Sequence, residues 1–585
     1  MKLFEPIRWI CVFAIVSLFF SGLPNCVAVA AARHAQSSGK INLDKETDPC
    51  EQALVPQGNA YGLKKRCETE GTGGAAKGDF NGDGFADLAV GAPHEDLAGV
   101  GGVGAVNIIF GSAAGLTSTG NQELDERNFG VSPASGDHFG SALAAGDFNG
   151  DGFSDLAIGA PDNNAFGTNA GLIVVINGSS TGLNTATARQ LPFFGEDQER
   201  VGAVLTWADF DGDGFADLAI GDPDEDADCG FLGTAIISAG RVVVFFGSSA
   251  GLLSSSVQRF VQCSGNPADI VVGDMAERGD EFGAALAAAD FNGDGFADLA
   301  IGVPGESLGF GSDKEEAGMV QILHGSAIGL NVRNGVQTIS QDTSGVGGAG
   351  EKGDQFGRAM NAGDFNGDSR DDLVVGVPFE DLSSNNAQDA GDVQVFPGIG
   401  GGGAAIVSTS NSLFISQAEL SGVSVEGGDR FGWSLAVGDF DADGREDLAV
   451  GAPGEDIGSN PDAGIVSVLY GTSSGLSLTR TQNWSQDSAG VPDFVEGGDQ
   501  FGYALSAWNY GFGRESDLAI GVPFEDLSPL DPSVTIQLDA GAVTVIYGSP
   551  GGLSTSAHAA QLWTQDSPGI RDSVEGGDRF GEALY

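Results

Sequence analysis

The chain of 585 residues has a formal net charge of −55, from 81 Asp and Glu against 26 Lys and Arg. This balance excludes nucleic acid as the default partner, because binding to phosphates depends on clustered Lys and Arg. The 95 glycines and only 21 prolines indicate many tight turns between short strands, and the lack of a three-residue period excludes collagen. The length exceeds one ordinary domain, although repeat folds such as propellers reach it in one closed unit.

The N-terminus has the pattern of a secretion signal. Lys2 and Arg8 precede an almost wholly apolar segment, Trp9–Phe20, and Ala28–Ala30 is a candidate cleavage site. An uncleaved membrane anchor is the alternative, but the apolar segment is too short to cross a bilayer comfortably. We therefore predict a signal peptide at residues 1–30, an irregular polar extension at 31–70, and a mature chain that is secreted and has no transmembrane segment.

Four cysteines remain after the predicted cleavage: Cys50, Cys67, Cys229 and Cys263. An even number in an exported chain indicates disulfides. Pairing of neighbours, Cys50 with Cys67 and Cys229 with Cys263, is favoured because each pair encloses one continuous segment, although sequence does not fix the connectivity. Zinc binding is disfavoured, since no CxxC spacing is present.

The segment Asp79–Pro93 reads DFNGDGFADLAVGAP and has the oxygen spacing of a calcium loop. Carboxylate or amide side chains occupy its first, third, fifth and ninth positions, and the carbonyl of the seventh residue, Phe85, is the natural fifth ligand. The apolar Leu88–Val90 that follows predicts a short strand, ended by a Gly and Pro turn.

The same pattern begins again at residues 147, 209, 290, 364 and 439, so we predict six calcium sites. The candidate ligands are Asp79, Asn81, Asp83, Phe85, Asp87; Asp147, Asn149, Asp151, Phe153, Asp155; Asp209, Asp211, Asp213, Phe215, Asp217; Asp290, Asn292, Asp294, Phe296, Asp298; Asp364, Asn366, Asp368, Arg370, Asp372; and Asp439, Asp441, Asp443, Arg445, Asp447. Without a cation, three converging carboxylates would repel one another; the alternative is that these side chains only cap turns.

Three loops depart from the pattern. Ser369 and Ala442 replace loop glycines, and Arg370 and Arg445 occupy the seventh position, where side-chain identity should matter little because the ligand is a backbone carbonyl. A seventh copy begins at Asn509 and keeps one carboxylate, so no metal is predicted there. All six intact loops lack the bidentate Glu of an EF-hand, which indicates weak affinity, on the order of 10⁻⁴–10⁻³ M, and a structural role in stiffening a hairpin.

Each repeat combines an FGxAL stretch, the acidic loop with its DLAVGAP strand, and two further alternating segments. Four short strands repeated seven times predict an all-β, seven-bladed propeller of four-stranded antiparallel blades over residues 71–585. A sandwich or an open solenoid is the alternative. The small residues of FGxAL suit an inner strand. Gly577–Tyr585 repeats that stretch with no loop after it, as a closing strand of the first blade or as a truncated eighth repeat; we favour closure.

The FG, DFNGDG and GAP elements resemble the FG-GAP repeats of integrin alpha-chain propellers and their secreted relatives. This resemblance covers about Gly71–Tyr585. It implies a seven-bladed propeller with calcium in hairpin loops on one face and partner binding on the other.

The sequence therefore predicts a secreted, non-enzymatic, calcium-binding propeller that acts as an adhesion module or as a binding module for an extracellular protein or glycan of unknown identity. Acidic residues at the end opposite the metal loops suggest a basic or cation-bridged ligand: Glu95, Asp96, Glu306, Glu380, Asp381, Glu455, Asp456, Glu525 and Asp526. The alternative is an extracellular polysaccharide lyase that uses the propeller face. GxSxG strings recur at one turn of several repeats, and none of the five histidines is fixed to the repeat, which disfavours a hydrolase.

Overall fold

The computed structural model describes residues 78–585 except 193–197, 228–234, 274, 310–311, 383–386, 402, 528–535 and 572. The predicted signal peptide, the extension, Cys50, Cys67 and Cys229 lie outside these residues. Cys263 is disulfide-bonded, and the predicted pairings stay predictions. No helix in the described part of the chain is long and apolar enough to cross a membrane.

The described residues form 29 strands in seven sheets. In the first three repeats they are β1 Leu88–Ala92, β2 Ala105–Phe110, β3 Thr117–Leu124, β4 Ala142–Gly146, β5 Asp155–Ala160, β6 Leu172–Asn177, β7 Asn184–Gln190, β8 Val204–Ala208, β9 Asp217–Asp222, β10 Arg241–Phe246, β11 Leu253–Val261 and β12 Ile270–Val271.

The remaining strands are β13 Ala285–Ala289, β14 Asp298–Val303, β15 Met319–Leu323, β16 Gln337–Ile339, β17 Ala359–Gly363, β18 Asp372–Val377, β19 Asp392–Phe396, β20 Leu413–Ile415, β21 Ser434–Gly438, β22 Asp447–Ala452, β23 Ile465–Leu469, β24 Thr481–Trp484, β25 Leu505–Trp508, β26 Asp517–Val522, β27 Ala542–Ile546, β28 Gln561–Trp563 and β29 Ala583–Leu584. Short 3₁₀ helices cover Glu126–Phe129, Ser312–Lys314 and Gln417–Glu419.

The sheets are the blades of a propeller, and the predicted all-β, seven-bladed architecture is confirmed. Blades two to seven each use consecutive strands, whereas the first blade has the order β29-β1-β2-β3 and thus joins strands from distant parts of the chain. Blade three differs from the prediction of four strands. There β12 pairs in parallel with the outer strand β11, and the disulfide-bonded Cys263 lies in the connection between the two strands.

Seven apolar clusters hold the ring together, each between two consecutive blades. Every cluster contains the aromatic residue that follows the first loop position, such as Phe80, Phe148 or Tyr510, which are fully buried. Because both faces of each sheet carry apolar side chains, a blade becomes stable only between two neighbours.

The innermost strands β4, β8, β13, β17, β21, β25 and β29 surround a central channel. They are rich in Ala and Gly, as predicted. Large aromatic side chains also line the channel near the end that carries the predicted calcium loops, which we call the metal-loop end. The Trp207 indole donates a 2.7 Å hydrogen bond to the hydroxyl of Tyr585, whose ring centroid lies 5.6 Å from that of Trp508. These three rings narrow a cavity of about 560 Å³.

Candidate metal loops and the opposite face

The six predicted calcium loops share one backbone conformation. In the first loop, Asp79 accepts hydrogen bonds from the N–H groups of Gly82 at 2.6 Å and Gly84 at 2.8 Å. In each of the other five loops, the first-position Asp likewise accepts a hydrogen bond from the backbone N–H of the sixth residue. The loop therefore wraps around its first carboxylate. Ser369 and Ala442 hold φ angles of 70° and 53°, a strained region for non-glycine residues.

The predicted side-chain ligands converge, though not all equally. In the two loops with Asp at the third position, three carboxylates place oxygens within 4.8 Å of one another: Asp209, Asp211, Asp217 and Asp439, Asp441, Asp447. Where Asn stands third, its amide reaches the ninth carboxylate, as from Asn149 to Asp155 at 3.1 Å. The fifth carboxylate is more peripheral and accepts the N–H of the seventh residue, as Asp83 does from Phe85 at 3.0 Å.

This donor set fits a hard divalent cation. It consists of oxygen atoms, which calcium prefers, on a turn already folded around its first ligand. Burial, together with repulsion from the other loop carboxylates, raises the pKa of Asp217 and Asp298 to about 8. A bound cation would offset this unfavourable burial of charge.

Arginines approach the fifth and sixth loops. Arg370 pairs with Asp368 at 2.6 Å, and Arg445 with Asp443 at 2.9 Å. Another arginine from the same blade, Arg480, reaches the buried third-position Asp441 at 2.6 Å. Among the described residues, the first four loops have no such pairs. The negative charge of the sixth loop is therefore partly offset by the protein itself.

The ninth-position Asp has a second function that the sequence analysis missed. In all seven blades it accepts the N–H of a glycine just beyond the third strand, so it joins two strand ends even where no metal is predicted. The pairs are Asp87–Gly111, Asp155–Gly178, Asp217–Gly247, Asp298–Gly325, Asp372–Gly398, Asp447–Gly471 and Asp517–Gly548, at 2.8–3.0 Å.

Two matched substitutions separate these functions. Asp517→Ala should lower the free energy of unfolding by about 1–3 kcal/mol, equally in calcium and in chelator, because only buried hydrogen bonds are lost. Asp447→Ala should cost more in calcium, since it removes the corresponding bonds and also a predicted calcium ligand. Urea unfolding of both variants in both buffers measures the difference. If calcium changed the loss of unfolding free energy equally in both variants, the assignment of Asp447 as a calcium ligand would be wrong.

The loops also form a continuous ring. The N–H of the eighth residue donates to the carbonyl of the first residue in the preceding blade, and the ring closes from the first blade onto the seventh. The bonds run from Ala86 to Asn509, Ser154 to Asp79, Ala216 to Asp147, Ala297 to Asp209, Asp371 to Asp290, Glu446 to Asp364 and Ser516 to Asp439, at 2.8–3.2 Å. Each loop is thus mechanically coupled to both neighbours.

The seventh-position side chain matters more than predicted. In the second blade, Phe153 covers Gly82 of the first loop so closely that a Cβ there would lie 2.6 Å from the ring. Arg370 and Arg445 cover the preceding glycines in the same way. The expectation that the carbonyl at this position is the metal ligand stays a prediction, and the side chain has a separate function, because it packs against the neighbouring blade.

At the opposite end, five of the acidic residues expected to face a partner are buried. They are Glu95, Glu306, Glu380, Glu455 and Glu525, each 7% exposed or less. Four of them accept a 2.6 Å hydrogen bond from a glutamine of the preceding blade: Glu380 from Gln341, Glu455 from Gln417, Glu525 from Gln486 and Glu95 from Gln565. The interpretation of these five glutamates as ligand-binding groups is wrong, because they are buried. The four that accept from glutamines join neighbouring blades.

Glu525 should make stability depend on pH. Burial, then repulsion from Asp493 and Asp499, raises its pKa to about 9 against an ordinary 4.5, although Gln486 opposes the shift. The folded state thus retains a proton that the unfolded chain releases, so the free energy of unfolding should fall as pH rises from about 5 to about 9.

Glu525→Gln keeps an oxygen for Gln486 and removes the titration. At pH 8 it should stabilise the protein by at least about 1 kcal/mol and flatten this decline, which urea unfolding at several pH values measures. Asp487→Asn, at an exposed position after Gln486, is the control and should leave the slope unchanged. A slope unaltered by Glu525→Gln would show that this carboxyl is ionised in the folded protein.

Two histidines meet at the channel mouth, which we define as the end of the channel opposite the metal loops. His138 Nδ1 lies 2.7 Å from one carboxylate oxygen of Asp162, and the other oxygen accepts a 2.8 Å hydrogen bond from Arg200 Nε. The rings of His94 and His138 lie 4.6 Å apart. Burial, with repulsion from Arg579 and His138, lowers the pKa of His94 to about 4. Sequence reasoning missed this group because its members come from separate repeats.

The aromatic side of the mouth belongs to other blades. Trp433 lies 6.2 Å from Phe379 and 5.5 Å from Tyr503, and Tyr503 lies 5.8 Å from Phe524, measured between ring centroids. These residues follow the FG or the Pro of their repeats. The mouth therefore differs chemically from blade to blade, whereas the metal-loop end is nearly uniform.

Comparison with known proteins places the repeats in a family. Six segments match the model of the FG-GAP repeat: residues 72–108, 139–176, 201–245, 282–323, 356–396 and 431–469. Each segment contains one of the six intact loops. The match confirms the resemblance of these units to FG-GAP repeats.

Individual relatives match over part of their length. The chain is 35% identical to bovine (Bos taurus) phosphatidylinositol-glycan-specific phospholipase D over 182 residues, which are 31% of this chain and 19% of the relative. It is 28% identical to integrin alpha-5 of Xenopus laevis over 320 residues, 50% of this chain and 26% of the relative. It therefore spans well under two thirds of either protein.

These relatives do not decide between an enzyme and a binding module, because one name denotes an enzyme and the other an integrin. Among solved structures, an exotype rhamnogalacturonan lyase is similar with a TM-score of 0.35 and 13% identity, over 76% of this chain and 69% of that chain. At this TM-score the similarity carries no functional argument. The chain thus carries six FG-GAP repeats on the blades of a propeller.

Proposed function

We propose that this protein is an exported, calcium-stabilised propeller that serves as an adhesion or binding module for an extracellular protein or glycan. The observation that carries the proposal is the contrast between its two ends. One end repeats the same acidic loop, as a structural device would. The other presents different charged and aromatic side chains from each blade around one mouth, as a specific recognition surface would.

Calcium in this proposal is structural. The first, third, fifth and ninth side chains and the seventh carbonyl of the six intact loops would hold it, and the ion would supply charge neutralisation and rigidity. In the third and sixth loops, three of the candidate carboxylates lie within 4.8 Å of one another, which supports this function.

Blocking one end at a time tests where a partner binds. Lys352 is exposed beside the mouth end, and Ser474 is exposed in a turn at the metal-loop end. Each is changed to Cys and coupled to polyethylene glycol. The two conjugates are then applied, in calcium, to an array of extracellular matrix proteins and polysaccharides. We expect saturable binding that the Lys352 conjugate loses and the Ser474 conjugate retains. Loss only at Ser474, or no binding by the unmodified chain, would overturn the proposal.

The lyase alternative has one observation in its favour, the hydrogen bond between His138 and Asp162 at the mouth. Such a pair can move a proton. Incubating the protein with acidic polysaccharides and measuring new carbon–carbon double bonds tests it. Sustained turnover that His138→Gln abolishes would replace the binding proposal with an enzymatic one.

A further inference from the structure

The channel mouth contains a cavity of about 490 Å³, large enough for a small sugar or a side chain. It is lined by Trp433, Tyr503 and Arg358, which we call the aromatic wall, and by Arg200, Asp224 and Glu281, which we call the acidic wall. Both basic and acidic groups thus face one space, together with two aromatic rings.

The aromatic wall is half-buried and extends beyond the cavity. Phe379, Trp433, Tyr503 and Phe524 form a continuous arc of neighbouring rings with centroids 5.5–6.2 Å apart, and all four remain partly accessible. Flat, partly accessible rings offer a surface on which the C–H face of a pyranose can pack, while polar groups around it fix the orientation.

Guanidinium groups lie along the same arc. Arg430 lies over Phe379 and Trp433, 5.9 and 5.8 Å from the ring centroids. Its Nε is buried and has no hydrogen-bond partner. In the described part of the chain neither Arg430 nor the exposed Arg358 forms an ion pair, and both, with Arg579, act electrostatically on Tyr503. In a chain of net charge −55, the Arg430 guanidinium is thus held against aromatic rings, whereas Arg358 acts electrostatically on the carboxylate of Glu281.

The acidic wall, with Asp224 and Glu281, limits the kind of anion that the cavity can bind. Asp224 and Glu281 would repel a densely charged polyanion such as an acidic peptide, but they can accept hydrogen bonds from hydroxyl groups. A sugar acid presents what both walls require. It has one carboxylate for the arginines, several hydroxyl donors for Asp224 and Glu281, and an apolar ring face for Trp433.

We propose that the channel mouth binds uronate residues of an acidic polysaccharide. The sugar ring packs on Trp433 and Tyr503, its carboxylate pairs with Arg358 and Arg430, and its hydroxyls donate to Asp224 and Glu281. This inference rests on the proposed function, of which it specifies the ligand class.

Calorimetric titration of the full chain in calcium buffer tests the inference. The probes are short oligogalacturonates and hyaluronan oligosaccharides, compared with neutral dextran, dextran sulfate and poly-glutamate. We expect saturable binding of at least one uronate probe and at least tenfold weaker binding of the others. Arg430→Gln and Trp433→Ala should each weaken uronate binding about tenfold or more, as loss of a charge-assisted hydrogen bond or a buried ring contact does.

Arg333→Gln is the matched control. This exposed arginine lies in a turn at the metal-loop end, so the variant has the same charge change and should bind as the unmodified protein does. Arg358→Gln, at an exposed side chain, keeps the test decisive if Trp433→Ala does not fold. Equal binding of dextran sulfate or poly-glutamate, or uronate binding unaffected by these changes, would overturn the inference.

The experiment with polyethylene glycol at positions 352 and 474 distinguishes failure of the uronate inference from failure of the proposed function. If a protein or a neutral glycan binds the mouth end while no uronate does, the inference is wrong and the proposed function stands. If nothing on the array binds, both are wrong.

Discussion

Chelation of calcium is expected to lower the thermal unfolding midpoint by about 10 °C. A site with a dissociation constant of 10⁻⁴–10⁻³ M contributes about 1.4–2.7 kcal/mol at 10 mM calcium, so six sites contribute roughly 8–16 kcal/mol. With an unfolding entropy of about 2.1 cal/mol/K per residue, a propeller of this length shifts by roughly 1 °C for each kcal/mol. The effect is large because many weak sites act on one folding unit.

The ring of hydrogen bonds explains why the six sites should act together. Each loop donates to the carbonyl of the preceding loop, as Ser154 does to Asp79 at 3.0 Å and Ala216 to Asp147 at 3.0 Å. A loop that loosens without its cation therefore weakens its attachment to both neighbours. Unfolding in chelator should begin at the metal-loop end.

Calorimetric scans in calcium, in chelator and in magnesium at the same ionic strength measure the effect, and metal analysis should find close to six calcium ions per chain. Magnesium is the control, because its strict octahedral preference suits these flexible oxygen loops poorly. An unchanged midpoint with no bound metal would show that the loops are turn formers only, while the propeller itself would remain.

The repeat pattern was sufficient to predict the blades. Four short apolar segments per repeat, separated by Gly and Pro turns, can bury both sheet faces only in a ring, so blade number and strand order followed from local sequence. The candidate metal loops were predictable for the same reason, since all their ligands lie within nine consecutive residues. The short β12 of blade three was missed because two residues carry no periodic signal.

The contacts between blades were not predictable from one repeat at a time. Glu525 reads as a solvent-facing acid in its own loop, and only the adjacent blade supplies Gln486, which makes burial of that carboxyl tolerable. Phe153 likewise became important only once the ring placed it over Gly82. The mouth has the same origin, because Trp433 and Tyr503 are 70 positions apart in sequence and meet where the sixth and seventh blades pack together.

The closing strand should be the other large contributor to stability. Strand β29 pairs with β1 through Val90 and Gly91. Phe580 just before it is fully buried between the first and seventh blades. Tyr585 ends the strand with a 2.6 Å hydrogen bond from its hydroxyl to the carbonyl of Ala145 in the second blade. Since Trp207 of the third blade also donates to the Tyr585 hydroxyl, one short segment joins four blades.

Deleting residues 580–585 is expected to destabilise the protein by more than about 5 kcal/mol, since loss of a buried Phe side chain alone typically costs about 3–5 kcal/mol. It also leaves β1 as an unpaired edge, so the shortened chain should self-associate. Urea unfolding and light scattering measure the two effects. Tyr585→Phe is the control: it removes the hydroxyl, should cost about 1–2 kcal/mol and should stay monomeric. A deletion variant that is monomeric and as stable as this control would mean that the first blade does not depend on β29. Pairing of β29 with β1 would then not be what holds the ring closed.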